Sequence, residues 1–262
     1  MSARARDTVR GVERRRFFYV HVQKAAGTEL RERLKRHFRP EQMYPDPTDG
    51  DIFAVAPQVS VRQLLARWAL RKPEIEIITG HFPYCTTELL DADFVTLSVL
   101  REPVERTLSH LRHHRKMNPE ARDAPLEAIY EEVFRPAFFA NHMVKMFSLT
   151  AEEIATSVAR DTWAMVMRID FTPDRLPRAK EHVRQLDVLG LHDAFDDFCR
   201  ELESRFGWQL GEPLYANQTP GEDVPASLRA RIAADNALDL ELFDYARELY
   251  DARKRGDIIE PA

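Results

Sequence analysis

Three apolar, β-rich runs each end in a residue able to handle an anion or a proton. Phe17–Val22 runs into Gln23-Lys24-Ala25-Ala26-Gly27, Ile75–Thr79 ends at Gly80-His81, and Phe94–Leu100 ends at Arg101. Lysine is a compact point charge, arginine a planar fork of donors matched to phosphate, and an imidazole of ordinary pKa, about 6.5, accepts a proton near neutral pH. If the three runs are neighbouring strands, Lys24, His81 and Arg101 share one pocket with two fixed positive charges and a titratable group. Such a pocket suits a polyanion.

The first loop is followed by Leu30, Leu34 and Phe38 at every fourth residue, so strand, loop and amphipathic helix follow in order. Gly27 would let backbone approach a ligand, and the free N–H groups and dipole of the helix N-terminus favour an anion. The lysine precedes the glycine and no GxxxxGK[ST] occurs, which disfavours an ordinary ATPase or GTPase site. The competing reading makes Thr28 an N-cap and Lys24 a solvated loop residue. In the segment 96–116, Pro103 suits a first helical turn, and Val104, Leu108 and Leu111 form a core stripe. Arg101 and Ser109 could then hold one phosphate between them. Its competing reading is a solvated basic face of Arg106, Arg112, His113, Arg115 and Lys116.

The elements that must position these residues follow from pattern. Short apolar runs alternating with segments of helical period predict an α/β fold: a P-loop-like, mostly parallel sheet flanked by helices, with a helix-rich C-terminal half. Ligands of such sheets sit beyond the carboxyl ends of the strands. Residues 40–60, with Pro40, Pro45, Pro47, Gly50 and Pro57, read as an irregular excursion before a helix over 61–70. The stretch 125–185 is mainly helical by period, 187–191 is a last strand, 193–206 a helix, 207–225 a long loop, and 226–251 helical again.

Composition bounds the answer. The chain has 262 residues, 44% hydrophobic and 31% charged, enough for one large core. Residues 1–15, with Arg4, Arg6, Arg10, Arg14 and Arg15, read as a flexible basic tail or, alternatively, a docking arm, and 16–262 as a single domain. A net charge of −5 argues against broad nucleic-acid or membrane-surface binding. Cys85 and Cys199 form no CxxC pair, so neither a disulfide framework nor a zinc site is indicated. No run approaches the roughly 20 apolar residues of a membrane span, and the arginine-rich start has no apolar core of a signal peptide. These features predict a cytoplasmic protein.

FYVHVQKAAGTEL, ITGHFPY and VTLSVLREPVERTLSHL, in that order, resemble the motif set of the carbohydrate-type sulfotransferases, the family of the heparan sulfate 2-O-sulfotransferases and their bacterial relatives. The resemblance extends through FFANHMVKMFS at 138–148, DVLGLHDAFDDFCRELESRFG at 187–207 and NALDLELFDYARELY at 236–250, most of residues 16–250. It implies a donor, 3′-phosphoadenosine 5′-phosphosulfate (PAPS), with Lys24, Ala26, Gly27 and Thr28 at its 5′ end and Arg101 and Ser109 at its 3′-phosphate. It also implies His81 as catalytic base, Lys24 as the stabiliser of the leaving phosphate, no metal, and a hydroxyl acceptor that is a glycan or glycoconjugate. Asn141 and the loop Asn217-Gln218-Thr219-Pro220 would approach the nucleotide.

The first loop departs from the family's usual PKTGGTS. Gln23 replaces the proline, Ala25 and Ala26 follow the lysine, and Glu29 stands where a hydroxyl is common. Glu29 is expected to repel a phosphosulfate unless it points outward. The changes leave open a module that binds adenosine bisphosphate without catalysis; a phosphotransferase, needing Mg²⁺ and ATP, is less favoured without a Walker lysine. His113, His114 and Arg115 either meet an anionic acceptor or are solvated.

Overall fold

The structure is a computed structural model that describes residues 8–9, 12–13, 15–49, 55–131, 140–157, 172–214 and 224–257. Two short strands, β1 (Thr8–Val9) and β2 (Val12–Glu13), pair antiparallel within the stretch expected to be a tail. The main sheet contains β3 (Phe17–Tyr19), β4 (Met43–Tyr44), β5 (Ile77–Ile78), β6 (Val95–Leu100) and β7 (Val188–Leu191) in the order β4-β5-β3-β6-β7. All four pairings are parallel, with Phe17 opposite both Ile77 and Val95, and Leu97 opposite Val188. The α/β architecture with a helix-rich C-terminal half is therefore as the sequence pattern predicts.

The near-continuous apolar character of β3 and β6 explains their burial on both faces, as parallel sheets require. Around Phe17, the rings of Phe38, Phe206 and Trp208 pack edge-on with centroids 4.7 to 6.3 Å away. The helices are α1 (Gly27–Leu34), α2 (Val55–Val59), α3 (Val61–Arg71), α4 (Pro103–Met117), α5 (Leu126–Ile129), α6 (His142–Ser148) and α7 (Ala151–Ser157). They continue with α8 (Leu176–Arg184), α9 (Phe195–Phe206), α10 (Ala226–Asp235) and α11 (Ala237–Arg255).

Several local expectations are corrected. The excursion at 40–60 contains β4, the sheet edge, because Met43 and Tyr44 are apolar enough to be buried between prolines. Pairing of the first strand stops at Tyr19, since the Val22 N–H turns back to the Val20 carbonyl (3.1 Å) as the chain enters the loop. The single C-terminal helix is two helices, broken at Asn236, whose buried amide donates to the Ile232 carbonyl at 2.9 Å. The stripe of Val104, Leu108 and Leu111 is buried, but in a second apolar cluster with α5 and α10 rather than against the sheet. That leaves the opposite face of α4 for polar residues.

β3 is the hinge of the topology. The chain leaves β3 for β4 on one side, returns through β5, and crosses to β6 on the other, so the winding direction changes beside β3. A crevice at the carboxyl ends of β5, β3 and β6 follows from this order.

Candidate functional site

The crevice holds the three predicted side chains together. The Arg101 Nη1 donates to the Lys24 carbonyl at 3.0 Å, and the His81 Nδ1 lies 2.9 Å from the His21 carbonyl. Lys24, His81 and Arg101 thus belong to one loop cluster. A fourth strand end contributes His192, just beyond β7, whose pKa is pushed to about 4 by burial and then by Arg101.

The first loop is wound tightly. Lys24 and Ala26 both take left-handed backbone, at φ 65° and 61°, a conformation L-residues disfavour by roughly 1–2 kcal/mol. Ala26 is the N-cap residue of α1 and makes no side-chain cap. The first-turn N–H groups of α1, including those of Gly27 and Thr28, point out of the helix toward the loop's concave side. Thr28 is exposed in that first turn and is not the N-cap. Gly27 is buried and helical, and its hydrogen faces the ring of His21: an added Cβ would fall 1.6 Å from the His21 Nε2.

Glu29 points away from the loop. Its Oε1 accepts from the Leu214 N–H at 3.2 Å, which joins two further links from α1 to the same segment: Arg33 to the Gly211 carbonyl (2.7 Å) and Arg36 to the Leu210 carbonyl (2.6 Å). The carboxylate expected to repel a phosphosulfate therefore serves as a strap.

Electrostatics mark the cluster as unfinished. Lys24 is pushed down to about 8 by burial, then by Arg101 and Lys116. Arg101 and Arg106 are likewise lowered, burial being the larger cause. Arg106 is fully buried, which overturns the solvated reading of that residue; the buried Asp239 and the charge of Arg101 both reach it. Burial, with Arg106 and Lys24, depresses His110 to about 3. His81 falls to about 4, chiefly by burial and secondarily by Lys24. A carbonyl only accepts, so the His81 Nδ1 carries the hydrogen and its Nε2 is the accepting atom.

Ser109 is half-buried on α4, in a row with His113 and Lys116 at steps of four and three residues. His113 and Lys116 interact electrostatically with Lys24. Ser109 therefore lies on the helix face that looks at the first loop.

Asn141 joins two helices. It sits at φ 51°, and its side-chain oxygen accepts from the Leu238 and Asp239 N–H groups, both at 3.1 Å, at the start of α11. The Asp239 carboxylate in turn accepts from the Met143 and Val144 N–H groups of α6 at 2.9 and 2.8 Å. The two helices cap each other, and the charge of Asp239 reaches Arg106 on α4. The loop Asn217-Gln218-Thr219-Pro220 lies outside the described residues.

Sequence reasoning missed His21, Arg106, His110, His192 and Asp239. His21 and His192 carried a signal, since both sit at strand ends like the residues that were singled out. Arg106 and Asp239 carried none, because their burial depends on how α4, α6 and α11 meet.

Among the described residues no helix is long and apolar enough to cross a membrane, and no group of three or more His, Cys, Asp or Glu is placed to hold a metal ion. No protein-family model matches the chain, and no curated protein is significantly similar to it.

Proposed function

We propose that the chain is a sulfotransferase that moves a sulfuryl group from PAPS to a hydroxyl acceptor, a glycan or glycoconjugate. The observation that carries this reading is the excess of cations around one neutral imidazole. Lys24 past β3, Arg101 past β6 and Arg106 within α4 are all held below their ordinary pKa values, burial being the largest cause. A dianionic or trianionic ligand would offset the cost of burying these charges.

In this reading the main-chain N–H groups of Ala26, Gly27 and Thr28 and the Lys24 ammonium hold the 5′ phosphosulfate, while Arg101 and Ser109 hold the 3′-phosphate. When bound, the donor supplies an activated sulfuryl group. His81 Nε2 takes the acceptor's hydroxyl proton as the acceptor oxygen bonds to sulfur. The bond from sulfur to the bridging phosphate oxygen breaks, and Lys24 stabilises the charge that collects there. Burial, which lowers His81, keeps it unprotonated at neutral pH. The kcat/KM of transfer is expected to hold from pH 8 down to about 5 and to fall as pH drops through about 4, where His81 is protonated.

Calorimetric titration of adenosine 3′,5′-bisphosphate against adenosine 5′-monophosphate tests the reading. Binding that requires the 3′-phosphate supports it, and equal binding of the two, or none, removes it. The missing hydroxyls at Ala25 and Glu29, with the strained Ala26, favour one second reading: a module that binds the bisphosphate without turnover. It predicts the same titration but no transfer of labelled sulfate.

A further inference from the structure

His21 and His81 clasp the ends of two neighbouring strands. His21, two residues past β3, has its Nδ1 3.1 Å from the Thr79 carbonyl just past β5. His81, past β5, has its Nδ1 2.9 Å from the His21 carbonyl just past β3. Each imidazole thereby extends the β3–β5 ladder beyond its last backbone pair, Phe18 with Ile78. The rings lie with centroids 4.0 Å apart, and the other face of His21 stacks on Tyr19 at 5.3 Å. Both acceptors are carbonyls, so both rings carry their hydrogen on Nδ1 and keep the lone pair on Nε2.

The third member is Gly27. A Cβ there would meet the outer end of the imidazole, His21 Nε2 at 1.6 Å, Cε1 at 2.3 Å and Cδ2 at 2.4 Å. The ring has no easy retreat, because Tyr19, His81 and the Thr79 bond hold it. Gly27 does not sit at positive φ; its need for glycine comes from the imidazole that occupies its side-chain space.

We propose that His21 is the positioning residue of the site: its ring, seated in the gap left by Gly27, packs on the His81 ring and holds in place the His21 carbonyl that sets the orientation and tautomer of His81. The inference deepens the sulfotransferase reading, in which His81 is the base, and it makes the side-chain space of Gly27 a seat for His21. Charged and titratable groups face the pair from several elements: Lys24 from the first loop, Arg31 from α1, and His142 from α6. Two protonated imidazoles at this separation, among those cations, would repel strongly. His21 accordingly stays neutral while His81 cycles its proton.

The test uses the full chain with 15N-labelled histidine, and NMR reads the tautomer and titration of His81 without any substrate. In the wild type, neutral His81 should be the Nδ1–H tautomer, titrating near pH 4. His21→Ala should let water in, mix the tautomers and move the His81 midpoint up toward 6.5. Gly27→Ala should give the same signature although it replaces neither histidine, because its methyl group displaces the His21 ring, and it should add nothing further in a His21→Ala background. His21→Asn, whose amide can donate to the Thr79 carbonyl, should restore the wild-type tautomer. Unchanged His81 behaviour in His21→Ala and Gly27→Ala would overturn the inference, as would a Gly27→Ala effect that persists undiminished without His21. In transfer assays His21→Ala should lower kcat by about tenfold to a hundredfold with donor KM within about twofold. A protein that shows the NMR pattern but transfers no sulfate would retain the clasp and lose the sulfotransferase reading; transfer with no NMR response to either variant would do the reverse.

Discussion

At the β4 edge of the sheet, Arg71 lies between two carboxylates: its Nη1 donates to Asp49 at 2.6 Å and its Nη2 to Asp46 at 2.5 Å, with the aspartates 0% and 2% exposed. Burial alone would push Arg71 down, but Asp49 and Asp46 outweigh it, and the guanidinium holds its proton more tightly than usual. At the carboxyl ends of the strands the balance runs the other way. Lys24 has Arg101 and Lys116 as its charged neighbours and is lowered, and Arg101 is lowered with it. Arg71 is closed off by two carboxylates of its own chain, while the charges that act on Lys24 are cations. Both regions bury charge, but only the first is complete as a piece of structure. A cation whose proton is held loosely marks a place where stability has been given up, and such places concentrate at functional sites.

The sharpest way to break the comparison is at the closed network. Asp49→Ala leaves Arg71 and the backbone N–H of Asp46 short of a buried partner and should lower unfolding free energy by about 3–5 kcal/mol in urea titration. Bisphosphate affinity of the folded fraction should be unchanged. Arg101→Ala should behave oppositely: affinity for adenosine 3′,5′-bisphosphate falls by about 1.5–3 kcal/mol, or roughly ten- to a hundredfold, with stability nearly constant.

Lys24 sharpens the contrast through pH. Its folded pKa of about 8 is below that of an unfolded lysine, so the unfolded chain binds more protons between about pH 8 and 10.5. Lys24 therefore destabilises the fold below pH 8, and that penalty fades as pH rises through the window. Lys24→Met should raise the melting temperature at pH 7 and flatten its rise toward pH 10, while abolishing anion binding. In the wild type, anion binding at pH 8 should take up protons, read as a dependence of calorimetric heat on buffer ionisation enthalpy. The smallest effect is conformational: Ala26→Gly relieves the left-handed backbone at φ 61° and should stabilise by about 0.5–1 kcal/mol.

Much of this architecture was legible because it is local. Period and apolar runs locate the major strands, and the rule that parallel sheets bind ligands at carboxyl ends was enough to group Lys24, His81 and Arg101. What escaped is what only packing decides. Nothing near Glu29 in sequence indicates that its carboxylate reaches Leu214, and nothing near Arg106 indicates burial beside Asp239, far along the chain. Gly27 was recognised as important but for a different reason, since the ring that fills its side-chain space belongs to the preceding strand. Asn141 was placed near a ligand, whereas its carboxamide oxygen is consumed by the start of α11.

The position of β3 in the sheet bears on how the protein is made. Its partners arrive late: Phe17 waits for Ile77 and then for Val95, and β6 in turn waits for Val188. Pairings between strands so distant in sequence are slow to close. A ribosome that has released only the first ninety residues presents β3 with one edge bare and the Lys24 loop without Arg101 to fasten it. The Lys24 loop is thus fastened only after β6 has been made, and fragments cut before β7 should be recovered as aggregates rather than as small folded modules.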